Sequence, residues 1–189
     1  MKQDSGRLIL ISGLPGSGKT TCGRWLSDKY KIPYVDYDGV IQPFMTEVYD
    51  RFYQGRAYDE FCSIWRECCY ETFWNVIAEN LRAGIGIAAS APLSKEMRQP
   101  SFFDGMKSKY DIEFKVLSLV LQVPEKVLYA RIVNRQAKRD EQKVRQWDDY
   151  CKQQEHTILW QPEYQIICHT GEEYRTDKIV RTFLYDEEV

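Results

Sequence analysis

The chain has 189 residues, 43% hydrophobic and 29% charged, with a formal net charge of −2. That length suits one α/β domain with a full core and is short for two, and the slight acidity excludes a protein dominated by non-specific nucleic-acid contacts. Residues 1–7 lack a signal peptide's apolar stretch, and no window approaches the ~18 apolar residues of a membrane span. Six cysteines include no C-x-x-C pair, and the two histidines are not at ligand spacing to them, which argues against a zinc site or a disulfide framework. The expectation is a reduced, cytoplasmic protein without a membrane partner, as monomer or homodimer, its cysteines mostly small core residues.

The first apolar run, Leu8-Ile9-Leu10-Ile11, reads as a strand, and Cys22 to Ser27 reads as a helix. Between them stands Gly13-Leu14-Pro15-Gly16-Ser17-Gly18-Lys19-Thr20, which fits G-x-x-x-x-G-K-[ST] with the required strand before and helix after. Its glycines permit backbone angles and close approaches that a Cβ would block. Successive N–H groups then face inward and, with the helix N-terminus, surround a phosphate chain. Lys19 supplies a point charge to the β- and γ-phosphates, the Thr20 hydroxyl can ligate Mg²⁺, and Thr21 counts with the nucleotide-binding residues. These residues imply binding of a nucleoside triphosphate.

Lys31 to Val35 reads as a short second strand running into Asp36-Tyr37-Asp38. In an open parallel sheet ligands bind beyond the carboxyl ends of strands. Two carboxylates there face the γ-phosphate, and on extended backbone they share one side. One can accept a proton from an acceptor hydroxyl while the other holds Mg²⁺ through water. Residues 40–82 read as helical, with apolar positions three and four apart. Aromatic residues crowd around Gly55-Arg56, a candidate acceptor wall in which Arg51, Arg56 or Arg66 would hold an anion. A third strand, Gly84 to Ser90, carries Ser90 where many phosphate-loop proteins place an acidic metal partner, which argues against a motor-type ATPase. A loop and helix with Lys95, Arg98 and Lys107 follow, and Arg98 is a candidate for acceptor contact.

The fourth strand, Phe114 to Val123, leads through Pro124 into a helix with Arg131, Arg135 and Arg139. Steps of four drift only about 40° around a helix, so the three share a face. Near Lys138 and Lys143, that face reads as a lid closing over the triphosphate, with Asp140 and Glu141 as internal counter-charges. A further helix from Trp147, a fifth strand from Tyr164 to Cys168, a possible purine rest at Thr170-Gly171 and a last helix from Lys178 to Leu184 complete the chain. Strand and helix alternate throughout, which implies a parallel sheet covered on both faces.

This order of elements resembles the small P-loop kinases: nucleoside-monophosphate, shikimate, gluconate and polynucleotide 5′-hydroxyl kinases, antibiotic phosphotransferases and zeta-toxin-like enzymes. The resemblance implies a three-layer P-loop NTPase sandwich with a five-stranded parallel sheet in the order 2-3-1-4-5, one domain over residues 1–189 and a lid over about 131–150. Arg131-Ile132-Val133-Asn134-Arg135 is similar to the adenylate-kinase lid entry, which implies that Arg131 stacks on adenine and Arg135 contacts phosphate. Arg139-Asp140 resembles a lid pair of the AAA_33-type group, in which the carboxylate after the second strand is the base. Asp38 is the closer match to that base and Asp36 the second. Together these imply ATP and Mg²⁺ as cofactors, and Lys19, Asp38, Asp36, Arg135 and Arg139 in catalysis. Thr20 and Asp38 fall at the metal, and Asp38, Arg56, Ser90 and Arg98 at a small-molecule acceptor. The polynucleotide kinases carry a basic residue where Tyr37 and Ile41 stand here, so an end kinase using Arg98, Lys107 and Lys109 ranks lower. A nucleotide-dependent switch is the other alternative, although the N-K-x-D guanine signature is missing.

Overall fold

The computed structural model describes residues 6–137, 140–153, 157–169 and 176–185. Five apolar runs form the strands β1 (Gly6–Gly13), β2 (Tyr34–Asp36), β3 (Ile87–Ser90), β4 (Phe114–Gln122) and β5 (Tyr164–His169). They make one all-parallel sheet in the order β2-β3-β1-β4-β5, the order that the motif pattern implies. The helices are α1 (Lys19–Tyr30), α2 (Tyr37–Phe52), α3 (Tyr58–Arg82), α4 (Phe102–Tyr110), α5 (Glu125–Arg135), α6 (Glu141–Arg145), α7 (Trp147–Gln153) and α8 (Asp177–Tyr185). Among the described residues no helix is long and apolar enough to cross a membrane.

β1 lies at the centre because it is apolar on both faces, as a strand covered from two sides must be. Its side chains alternate. Leu8 and Leu10 pack with Phe73, Trp74 and Ile77 of α3, Phe102 and Phe103 of α4, and Trp160. Ile9 and Ile11 pack on the opposite face with Leu26 and Tyr30 of α1 and with Val180 and Phe183 of α8. A third cluster, with Ile41, Met45 and Tyr49 of α2 against Phe61 and Cys69, joins α2 to the first half of α3. All six cysteines are free thiols: Cys69 and Cys168 are buried, Cys22 and Cys62 pack half-buried against the core, and Cys68 is exposed.

Element boundaries differ from the sequence reading in four places. α5 ends at Arg135, where Gln136 turns left-handed (φ 48°), so the helix does not carry Arg139 on the face of Arg131 and Arg135. Residues 40–82 are two helices, parted at 53–57 by a turn in which the Arg56 N–H donates to the Tyr53 carbonyl. The third strand begins at Ile87, because the Gly84 N–H still donates to Leu81 at the end of α3. Lys31 takes a left-handed conformation (φ 56°) that ends α1 and donates to Ser27, so β2 starts only at Tyr34. The end of β2 decides where the carboxylates stand. Asp36 is the last strand residue and Asp38 lies in the first turn of α2, so the two do not alternate on one extended segment.

Gly23 on α1 is where the helix meets β2. A Cβ there would come within 2.1 Å of the Tyr34 ring. In an open helix interior Gly→Ala stabilises by about 1 kcal/mol. Here overpacking reverses the sign, and Gly23→Ala is expected to lose roughly 1–3 kcal/mol. A urea midpoint at or above the wild-type value would show that the Tyr34 ring is free to move aside.

Candidate nucleotide and phosphoryl-transfer site

The β1-to-α1 turn has the shape its glycines allow. Gly13 takes φ +143°, and a Cβ there would meet the Leu121 carbonyl oxygen at 2.7 Å, so only glycine fits. The Ser17 N–H donates to the Leu14 carbonyl at 3.1 Å, and the left-handed Gly18 opens α1. The Lys19 ammonium folds back over this loop, donating to the Gly13 and Leu14 carbonyls at 2.7 and 3.0 Å. The Ser17 hydroxyl is buried without a partner.

The turn forms one side of a cavity of about 660 Å³, a volume suited to a small-molecule site. Pro15 to Cys22, Asp36, Asp38, Arg131, Arg135, Asp140 and Lys143 all line it. Thus Lys19, Thr20, Thr21, both aspartates and two α5 arginines, from separate segments of the sequence, meet at one space. Arg139 and Thr170-Gly171 lie outside the described residues.

On the cavity wall the Thr20 hydroxyl donates to Asp36 Oδ2 at 2.8 Å. The sequence pairs Thr20 with Asp38 at the metal; in the structure Asp36, at the end of β2, is the carboxylate on the Thr20 hydroxyl. Thr20, Asp36 and Asp38 make an oxygen-only donor set beside a phosphate-binding turn. That suits Mg²⁺, which takes one or two protein carboxylates and keeps water and phosphate for its other positions. Ser90 is also placed differently from the sequence reading. It is fully buried, and its hydroxyl bonds Asp36 Oδ1 at 3.3 Å and Tyr34 at 2.7 Å, so it supports a carboxylate and does not face an acceptor.

The other side of the cavity belongs to α5 and α6. Arg131 Nη1 donates to the Gly16 carbonyl at 3.0 Å, laying its side chain along the turn. Arg135 Nε donates to Asp140 Oδ2 at 2.5 Å, and Lys143 reaches Oδ1 at 3.3 Å. Burial alone would push the Asp140 carboxyl up, but the Arg135 hydrogen bond and the Lys143 and Arg135 charges outweigh it and hold it below the usual range. A depressed native value stabilises the fold above the unfolded pKa, and that contribution is lost as pH falls through the native value. Asp140→Asn should therefore unfold more readily than wild type in urea at neutral pH. That difference should close between about pH 5 and about pH 2, and one that did not change over this range would contradict the ion-pair account.

The acceptor arginines are already engaged. Arg51 pairs with Glu47, Arg56 with Glu60 at 3.6 Å, and Arg66 with Glu96 at 2.7 and 2.9 Å. Arg56 and Arg98 are exposed and are not among the cavity-lining residues. Arg66 also lies over the Tyr70 ring at 4.3 Å, and Tyr70 stacks on Tyr37 at 4.6 Å, next to Asp38 in sequence. No spacing in the sequence reveals the Arg66–Glu96 pair, whose members stand 30 positions apart. Lys107 pairs with Glu163 and Lys109 with Glu71, so these two lysines are matched by carboxylates and not gathered into a basic groove.

The sequence profile of AAA_33, an AAA domain, matches residues 8–156. The chain belongs to the AAA_33 family. Within this family setting, a shikimate kinase of Bacteroides fragilis is 25% identical over 124 residues, 66% of this chain and 60% of that one. The chain thus spans about three fifths of the length of the curated relatives it matches. Among solved structures, a Chloroflexus aurantiacus protein assigned as a kinase superposes with a TM-score of 0.71 at 15% identity, covering 97% of this chain and 98% of that one. Shikimate kinase from Bacteroides thetaiotaomicron superposes with a TM-score of 0.55 at 17% identity, over 94% and 97% of the two chains. This AAA_33 chain therefore has the fold of the small P-loop kinases.

Proposed function

We propose that this AAA_33 protein is an ATP-dependent phosphotransferase that moves the γ-phosphate of ATP to a hydroxyl or phosphate of a small-molecule acceptor. The observation that carries the reading is the meeting of Thr20, Asp36 and Asp38 with Lys19 and the lid arginines around one cavity. The kinase relatives support it in kind.

The turn amides and Lys19 hold the phosphate chain, and Arg131 lies along the same turn for the nucleotide. Thr20 and Asp36 would hold Mg²⁺, which when bound offsets phosphate charge. Asp38, the cavity carboxylate not on Thr20 in this arrangement, takes the proton from the acceptor hydroxyl as that oxygen bonds to the terminal phosphorus and the bond to ADP breaks. Arg135, aligned by Asp140, places a guanidinium where charge grows on the transferring group. Catalysis is positioning and electrostatics, since phosphoryl transfer asks little covalent chemistry of the protein.

The test is an ATP-consumption screen with sugars, polyols, nucleosides, nucleotides, hydroxy acids, aminoglycosides and 5′-hydroxyl oligonucleotides, followed by mass analysis of the product. A small acceptor gaining one phosphoryl group is the expected result. Turnover only with the oligonucleotides would overturn the small-molecule reading, and tight nucleotide binding without acceptor-dependent turnover would point to a switch.

A further inference from the structure

The end of β3 lies next to the β1 end in register, with Ile11 opposite Ser90, and next to β2 on its other side, with Asp36 opposite Ser90. A serine stands there, fully buried, while the Thr20 hydroxyl goes to Asp36 one strand over.

The hydrogen bonds around Asp36 have a determined direction. An ionised carboxylate only accepts, so Ser90 spends its single proton on Asp36 Oδ1. Its contact with Tyr34 at 2.7 Å then requires the phenol to donate. A phenol is protonated at neutral pH and can serve as that donor. The ring is held in turn by α1, where Gly23 leaves the space it fills. The chain of contacts thus runs from Gly23 through the Tyr34 ring to Ser90, Asp36 and Thr20.

We infer that Ser90 and Tyr34 are positioning residues that aim the Asp36 carboxylate at the catalytic divalent cation. Both act through Asp36 and touch neither nucleotide nor acceptor. The inference rests on the kinase reading and on Asp36 as the metal carboxylate.

The experiment measures ADP binding by calorimetry with EDTA and across a Mg²⁺ series, for wild type, Tyr34→Phe, Ser90→Ala and the double variant. Circular dichroism monitors the fold. Removing a partner that orients a metal ligand typically weakens metal affinity ~10–100-fold. We expect a rise of roughly tenfold in the Mg²⁺ concentration needed for half-saturation in each single variant. The double variant should match Ser90→Ala, because Tyr34 works through Ser90. Metal-free ADP affinity should stay within about twofold, since the phosphate-binding turn is untouched. Mg²⁺ dependence unchanged in whichever single variant folds, or equal losses with and without Mg²⁺, would overturn the positioning role while leaving the kinase reading standing. A wild-type protein whose ADP affinity ignores Mg²⁺ would overturn the kinase reading and this inference with it.

Discussion

Lys19→Ala is expected to lower acceptor-dependent ATP turnover by at least ~10²–10³-fold, the loss that follows when one preorganised charge-stabilising donor is removed from a transition state. In the present arrangement the ammonium bonds the Gly13 and Leu14 carbonyls of the loop proposed to hold the phosphate chain. It is therefore close to the place where β- and γ-phosphate oxygens would lie, and its exchange of two carbonyls for phosphate is a short movement. Among the described residues of the α5 and α6 wall, Arg135 and Lys143 both pair with Asp140. Turnover is read with a coupled ADP assay at saturating nucleotide. A variant within about tenfold of wild type would mean that the turn is not where the transferred group sits.

Asp38→Asn is expected to keep nucleotide affinity within about threefold while lowering turnover ~10²–10⁴-fold, the span ascribed to a positioned general base. The substitution preserves shape and removes only the capacity to take a proton. Asp36→Asn should behave differently. Its carboxylate receives Thr20 at 2.8 Å and Ser90 at 3.3 Å, so that change should weaken Mg²⁺-dependent nucleotide binding as well as turnover. The two variants together separate base from metal ligand. If Asp36→Asn spared Mg²⁺ dependence and Asp38→Asn destroyed it, the two roles would be exchanged.

How much of this was legible in the sequence depends on how local each feature is. The phosphate-binding turn is a contiguous motif between a strand and a helix, and its eight residues carry their chemistry in their own order. The sheet follows from apolar runs separated by helical ones, since parallel strands require crossovers. Arg131 and Arg135 reached the cavity because one helix face carries both. What escaped depends on contacts across the sheet or between distant helices. Asp36 stands opposite Ser90 at the end of β2 while Asp38 is already inside α2, so Asp36 is the carboxylate on Thr20. Ser90 reads as an acceptor contact until its neighbours in register, Asp36 and Ile11, are known. Arg66 reads as an anion holder until Glu96 is found against it. A charged residue's spacing shows which face it occupies, but its counter-charge is a matter of tertiary structure.

The most direct measurement is a crystal structure of the chain with Mg²⁺ and a non-hydrolysable ATP analogue. The triphosphate should lie in the Gly13–Thr20 turn, with Lys19 released from the Gly13 and Leu14 carbonyls onto phosphate and the γ-phosphate facing Asp38 across a gap that one hydroxyl fills. A nucleotide bound outside that turn, or one whose γ-phosphate points away from Asp38 toward bulk solvent, would contradict the account.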